Sequence, residues 1–196
     1  MPRTPTFDRD AKIEEAMELF WEQGYEATSV QDIVEHLGLN RSSLYNAFGG
    51  KHALYLEALD QYRQEGIDRL RRQLQGAPTA MDGIRQAFMA VAERATASCC
   101  GCFTTNAAVE CAPSDASTRE RARESFSDMR ALFRGAVEQA QEEGAIDASR
   151  DAEALGRHLT NAYNGIHLTA KTEPPDEVVQ DIVEETLRGL ACPAEN

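Results

Sequence analysis

Apolar positions recur at helical spacing along almost the whole chain, and the alternation expected of strands is scarce. Ile13, Ala16, Met17 and Phe20 follow the i, i+3, i+4, i+7 pattern, and Gly24 closes that helix as a residue tolerant of positive φ. A shorter set follows in Val30, Ile33, Val34 and Leu37. Ser29 precedes it with Asp32 at i+3, a near match to a capping box with Asp in place of Glu. Gly38 ends this second helix. Asn40 can cap a third, with Leu44, Tyr45 and Phe48 as its inward residues and Gly49-Gly50 as its stop.

From Lys51 to about Gln75 the pattern predicts one long helix, carrying Leu54, Ala58, Leu59, Tyr62, Leu70 and Leu74. Gly76-Ala77-Pro78 breaks it, and Thr79 can cap a helix through Ile84, Phe88, Val91 and Ala95. The stretch 99–114 is less regular and ends at Pro113. A helix from about Ser117 to Glu143 carries Phe126, Met129, Phe133 and Val137, and Gly144 closes it. Two more are expected at about 150–170 and 176–190, separated by Glu173-Pro174-Pro175. The expected fold is all-α with about nine helices. A three-helix domain over residues 1–50 precedes a larger helical domain over 51–196, and no repeat or flexible linker divides them.

Composition narrows the possible functions. The chain has 196 residues, with 33 acids against 20 bases and a formal net charge of -13. No apolar run is long enough to span a membrane. The N-terminus lacks the apolar stretch of a secretory signal, so a cytoplasmic protein is expected. Five cysteines, three of them crowded at Cys99, Cys100 and Cys102, make no paired disulfide framework. There is no phosphate loop, dinucleotide fingerprint, zinc pair or nucleophile elbow, and His36, His52, His158 and His167 share no motif. No enzyme, cofactor or metal site is expected.

On its face the acidity argues against nucleic acid, because phosphate binding usually leaves a basic footprint. Position along the chain changes that. Residues 36–56 contain no Asp or Glu but include Arg41 and Lys51. Two short helices joined by a tight turn at Gly38-Leu39, with a third beside them, follow the plan of a helix-turn-helix unit. Asn40, Arg41, Ser42 and Ser43 put small polar and cationic groups at the start of the second helix, where they can enter a groove about 12 Å wide. An ordinary three-helix cluster has the same spacing.

The wording of the segment is more specific than its spacing. Ala16-Met17-Glu18-Leu19-Phe20, Gly24-Tyr25, Thr28-Ser29-Val30 and Asp32-Ile33-Val34 lead into Leu37-Gly38-Leu39, Ser43-Leu44-Tyr45, Phe48 and Lys51 to Leu54. The run from Ile13 to Leu56 resembles the DNA-binding domain of the TetR family of bacterial transcriptional regulators, with Val34 where Ala is more usual. The resemblance implies that Arg41, Ser42 and Ser43 face bases or adjacent phosphates. It implies a phosphate contact from the Tyr45 hydroxyl, from Thr28 or Ser29, and from Lys51. Tyr45 as core and Lys51 as a solvated lysine are the plainer readings. Arg3 and Arg9 are either an arm toward the minor groove or part of a frayed terminus.

The same resemblance implies a repressor bound to double-stranded operator DNA. A homodimer is expected through helices at about 150–170 and 176–190, with an unknown small-molecule effector in the larger domain. Leu155, Leu159, Ala162, Tyr163 and Ile166, with Gly156 and Gly165, and then Val179, Ile182, Val183, Leu187 and Leu190, would pair with their symmetry mates in a four-helix bundle, or else cap the monomer core. Candidate pocket residues are Phe88, Cys102, Phe103, Asn106 and Phe126, together with Met129, Phe133, Tyr163, Asn164 and His167; most would also serve as core. Cys99, Cys100 and Cys102 are either inert thiols, a sensor of oxidants or electrophiles, or ligands for a soft metal. The competing reading overall is a helical redox or metal sensor, or a partner-binding module, without operator-specific repression.

Overall fold

The structure is a computed structural model that describes residues 7–97 and 100–191, apart from the Asp176 side chain. Its described residues are helical, with no strand. The helices are α1 (Arg9–Gln23), α2 (Val30–His36), α3 (Arg41–Phe48), α4 (Lys51–Gln75), α5 (Ala80–Ala97), α6 (Phe103–Glu110), α7 (Ala116–Glu142), α8 (Ala152–Ala170) and α9 (Asp176–Arg188). Packing divides the chain into two compact units. One holds residues 1–65 and 103–123, the other 66–102 and 124–196.

In the N-terminal unit, local chemistry sets the helix limits. The Ser29 hydroxyl accepts from the Asp32 N–H at 3.1 Å and the Asp32 carboxylate accepts from the Ser29 N–H at 2.7 Å. The capping box expected from Ser29 and Asp32 is therefore complete. Asn40 caps α3 by accepting from the Ser43 N–H at 2.8 Å, and Gly49 ends that helix in the left-handed region. Leu19, Phe20, Ile33, Leu37, Leu44, Leu54, Tyr55 and Leu59 form the core, all but fully buried. Each such side chain contributes about 1.5–3 kcal/mol by leaving water.

This unit also takes in α6, from the stretch where the sequence pattern is irregular. Its buried positions are Phe103, Thr104 and Ala107, followed by Cys111, a set too short and too mixed to read as an apolar stripe. Tertiary packing supplies what periodicity lacks: Phe103 lies edge-on to Tyr55 and Tyr62, both at 5.7 Å between ring centroids.

The C-terminal unit packs α5, the later part of α7, α8 and α9 around Ile84, Phe88, Val91, Phe133, Val137, Leu159 and Ile166. The apolar faces of α8 and α9 close this core. Leu155, Leu159, Tyr163, Ile166, Val179, Val183, Leu187 and Leu190 are all buried within the unit itself. Gly156 allows an approach inside the same unit, since a Cβ there would lie 3.1–3.2 Å from the α7 backbone at Arg130 and Arg134. Open space surrounds Gly165. The outer faces keep Leu168 and Val178 exposed.

Candidate nucleic-acid interface

Helix α3 buries Leu44 and Phe48 and turns Arg41, Ser42, Tyr45 and Asn46 outward, with Ser43 partly covered. Tyr45, expected among the inward residues, is 51% exposed. Its ring packs against Gly50, where a Cβ would come within 2.9 Å of it. Gly50 is at φ +121°, a conformation that L side chains rarely adopt, so both space and backbone require glycine there. An exposed aromatic held against a glycine keeps its hydroxyl free for an outside partner.

At the start of α2 the two candidate hydroxyls differ. Ser29 is exposed at the cap. Thr28 is fully buried and donates to the Gly24 carbonyl at 2.6 Å, so in this conformation it ties the α1–α2 turn and does not face outward. Lys51 opens α4 with its ammonium 4.2 Å above the Tyr25 ring centroid, and is partly covered.

Several residues that hold this surface carry no sequence signal, because their partners are far along the chain. Arg9 donates to the Ala47 carbonyl at 3.3 Å and to Glu57 at 2.7 Å, and its guanidinium lies 4.9 Å from the Phe48 ring centroid. It is neither an arm nor a frayed end but a staple from α1 across the end of α3 to α4. The Glu110 carboxylate, at the end of α6, accepts from the backbone N–H groups of Tyr25 and Glu26 at 3.2 and 2.8 Å. His52 pairs with Asp115 at 3.1 Å. Hydrogen bonds from Thr118, together with His52, hold the Asp115 carboxyl far below the usual carboxylate range. Tyr55, buried between Phe20, Tyr25 and Phe103, donates to the Cys111 sulfur at 3.6 Å. Burial and the Cys111 contact raise its phenol well above the ordinary value.

The candidate pocket residues fall in both units. Phe103 and Asn106 belong to the N-terminal unit, Phe103 as part of its core. Cys102, Phe88, Phe126, Met129, Phe133, Tyr163, Asn164 and His167 belong to the C-terminal unit. There Phe88, Phe133 and Tyr163 form a ring triangle with centroids 5.7–5.9 Å apart. Asn164 donates to the Thr160 carbonyl at 3.0 Å and to the Met129 sulfur at 3.8 Å. Phe126 and Met129 are half-buried. The Tyr163 hydroxyl accepts from Arg94 at 3.0 Å, and the His167 ring packs 5.8 Å from the Tyr163 ring. His167 is 8% exposed, and among the described residues its Nδ1 has no hydrogen-bond partner. Burial, helped by the charges of Arg94 and Arg69, pushes its pKa down to about 4. A buried nitrogen without a partner costs about 1–3 kcal/mol.

Of the cysteines, Cys99 lies outside the described residues. Cys100 is partly covered, while Cys102 and Cys111 are buried. Burial pushes the Cys111 thiol up, against a smaller opposing effect from the Tyr55 hydrogen bond, so its reactive thiolate is disfavoured. Among the described residues no group of three or more His, Cys, Asp or Glu could hold a metal ion, and no helix is long and apolar enough to cross a membrane.

Comparison with known proteins agrees with this arrangement. Residues 13–58 match the profile of bacterial regulatory proteins of the tetR family, and residues 66–185 match that of the tetracyclin repressor-like C-terminal domain. The uncharacterized HTH-type transcriptional regulator YezE of Bacillus subtilis is 29% identical over 97% of this chain and 100% of its own length. The HTH-type transcriptional repressor ComR of Escherichia coli is 28% identical over 95% of this chain and 90% of its own. Among solved structures, a cysteine mutant of the TetR family transcriptional regulator CifR in complex with a 26-bp double-strand operator DNA superposes with a TM-score of 0.85. It is 30% identical, over 96% of this chain and 99% of that one. An exposed polar recognition helix on a stapled three-helix base, followed by a helical C-terminal unit, thus belongs to a member of the TetR family of DNA-binding transcriptional regulators.

Proposed function

We propose that the chain is an operator-specific repressor whose affinity for DNA falls when a small molecule reaches its C-terminal unit. The observation that carries this reading is the outward face of α3. Arg41, Ser42, Tyr45 and Asn46 stand exposed in the acid-free stretch 36–56, on a base fixed by Arg9 and Glu110. Repression is what the names of ComR and of the Mycobacterium repressor DhaR state for those relatives. In this reading Arg41, Ser42 and Ser43 face bases or adjacent phosphates. Ser29, Tyr45 and Lys51 position the backbone, and Asn40 holds the start of the helix.

A single recognition helix buries little area, so two copies act together on a two-fold site. The surface left for pairing is the outer side of α8 and α9, with Leu168 and Val178. The effector then favours a dimer conformer whose two recognition helices no longer match successive major grooves. The test is anisotropy titration of promoter fragments at several salt concentrations. Arg41→Ala is expected to relax sequence preference and cost about 1–3 kcal/mol on the preferred site, while Lys51→Ala weakens all sequences alike and lowers the salt slope by about one. Wild-type behaviour in both variants would sink the reading.

A thiol-reactive effector is the second reading, favoured by Cys100, which is the least covered of the described cysteines. The cysteine substitutions in the CifR complexes point the same way. Operator release that ignores diamide and peroxide removes it.

A further inference from the structure

We propose that Arg94 and His167 form the recognition end of an effector site for a small monocarboxylate with an apolar body. The proposal rests on the reading of the C-terminal unit as the effector-binding one and names the ligand's chemistry.

The two cations are the first observation. Arg69 on α4 and Arg94 on α5 are half-buried members of one unit. In a chain with 33 acids and 20 bases, neither has a carboxylate partner among the described residues. Arg94 uses one amino group on the Tyr163 hydroxyl, at 3.0 Å, and a guanidinium has five N–H donors in a planar fork.

The second observation is independent of charge. His167 lies one helical turn beyond Tyr163 on the same face of α8, and its Nδ1 is fully enclosed without a hydrogen-bond partner among the described residues. A buried polar atom without a partner is what a ligand-binding position looks like when the ligand is absent. Both guanidinium charges act on this imidazole, which is held neutral and keeps one ring N–H to donate.

The third observation sets the body of the ligand. The Tyr163 ring lies beside the His167 ring and is backed by Phe88 and Phe133. A neutral guest would leave both guanidinium groups without a counter-charge. A guest that is all charge would meet aromatic faces. A planar carboxylate on an aryl or alkyl body suits the guanidinium fork and the rings together.

The experiment is calorimetric titration of the full chain with benzoate, hexanoate, benzamide and inorganic phosphate. Benzamide matches benzoate in shape without its charge. Benzoate or hexanoate is expected to bind, with benzamide weaker than benzoate by about tenfold or more. Arg94→Gln is expected to weaken carboxylate binding by about tenfold or more and benzamide binding by less than that, and Arg69→Gln to weaken carboxylate binding by a smaller factor. Thermal unfolding of each variant checks folding. Arg94→Lys, which keeps the charge and loses the fork, serves if Arg94→Gln fails to fold and is expected to fall between wild type and no binding.

The proposal is overturned if neither carboxylate binds, if benzamide binds as well as benzoate, if phosphate binds tighter than both carboxylates, or if the Gln variants titrate as wild type. Promoter binding by the untreated protein is read in parallel. Its absence would overturn the regulator reading while the carboxylate result stands by itself.

Discussion

In the N-terminal unit the charged groups that tie it together stand outside or at the rim, and buried Thr28 and Tyr55 both have hydrogen-bond partners. Arg9, Glu110, His52 and Asp115 tie segments far apart in sequence onto a small aromatic core, and α3 shows its polar face to solvent. The C-terminal unit differs in enclosing a titratable nitrogen, His167 Nδ1, without a partner among the described residues. Its outer faces are largely ordinary helix surface, while Tyr163, His167 and Thr160 are carried inside an apolar core. Reading a rigid double helix requires donors held at fixed positions on a firm base. Accepting a small molecule requires polar groups already stripped of water and not fully engaged. In the proposed reading the two units meet these opposite demands with the same helical material.

The sharpest break of this comparison comes from the C-terminal core. Phe133 is fully buried against Phe88 and Tyr163, and Phe133→Ala is expected to destabilise by about 3–5 kcal/mol in denaturant unfolding followed by circular dichroism. Trp21, the chain's single tryptophan, lies in the N-terminal unit and reports that unit by fluorescence. An equal shift of both signals would show that the units unfold together. A smaller shift of Trp21 would sharpen their separation.

Next in size is the pH response of His167. The unfolded side chain takes a proton as pH falls through about 6.5, while the folded one resists until about 4. Its contribution is therefore present above pH 6.5 and is lost as pH falls toward 4, by at most about 3 kcal/mol. His167→Phe, which cannot titrate, should lose less stability over that window than wild type. Parallel curves would refute buried neutral histidine as a feature of this unit.

Glu110→Gln tests the staple of the other unit. An amide accepts through one oxygen only and turns a donor toward a backbone N–H, so a loss of about 1–2 kcal/mol in the Trp21 transition is expected. The smallest effect belongs to Ser29→Ala. It removes the hydroxyl half of the α2 capping box and should cost about 1 kcal/mol by the same measurement. A silent Glu110→Gln beside a costly Ser29→Ala would mean that local capping, not the staple, holds the α1–α2 turn.

The helix limits were legible because their chemistry is local. Gly24 ends α1, Ser29 with Asp32 starts α2, Asn40 starts α3 and Gly49 ends it, each acting within one turn. The recognition segment was legible as an ordered run of residues between Ile13 and Leu56. Helix α6 was not, because Phe103, Thr104 and Ala107 owe their burial to Tyr55, Tyr62 and the rest of the N-terminal core. Nor was the fate of the apolar stripes on α8 and α9. Periodicity shows that Leu159, Val183 and Leu187 must be covered, and only packing shows that their own unit covers them.

The sequence by itself determined an all-helical chain, the places where most helices begin and end, and an acid-free stretch over residues 36–56. Those properties follow from capping, glycine conformation and the 3.6-residue period, which act over a few neighbouring residues. The tertiary structure decided that Tyr45 faces out and Thr28 faces in, that Arg9 ties α1 to the end of α3, and that Glu110 holds the α1–α2 turn. It also decided that a histidine with an unpartnered nitrogen sits under the charge of two arginines. Such pairings join residues tens of positions apart, and they exist only once the chain has closed on itself.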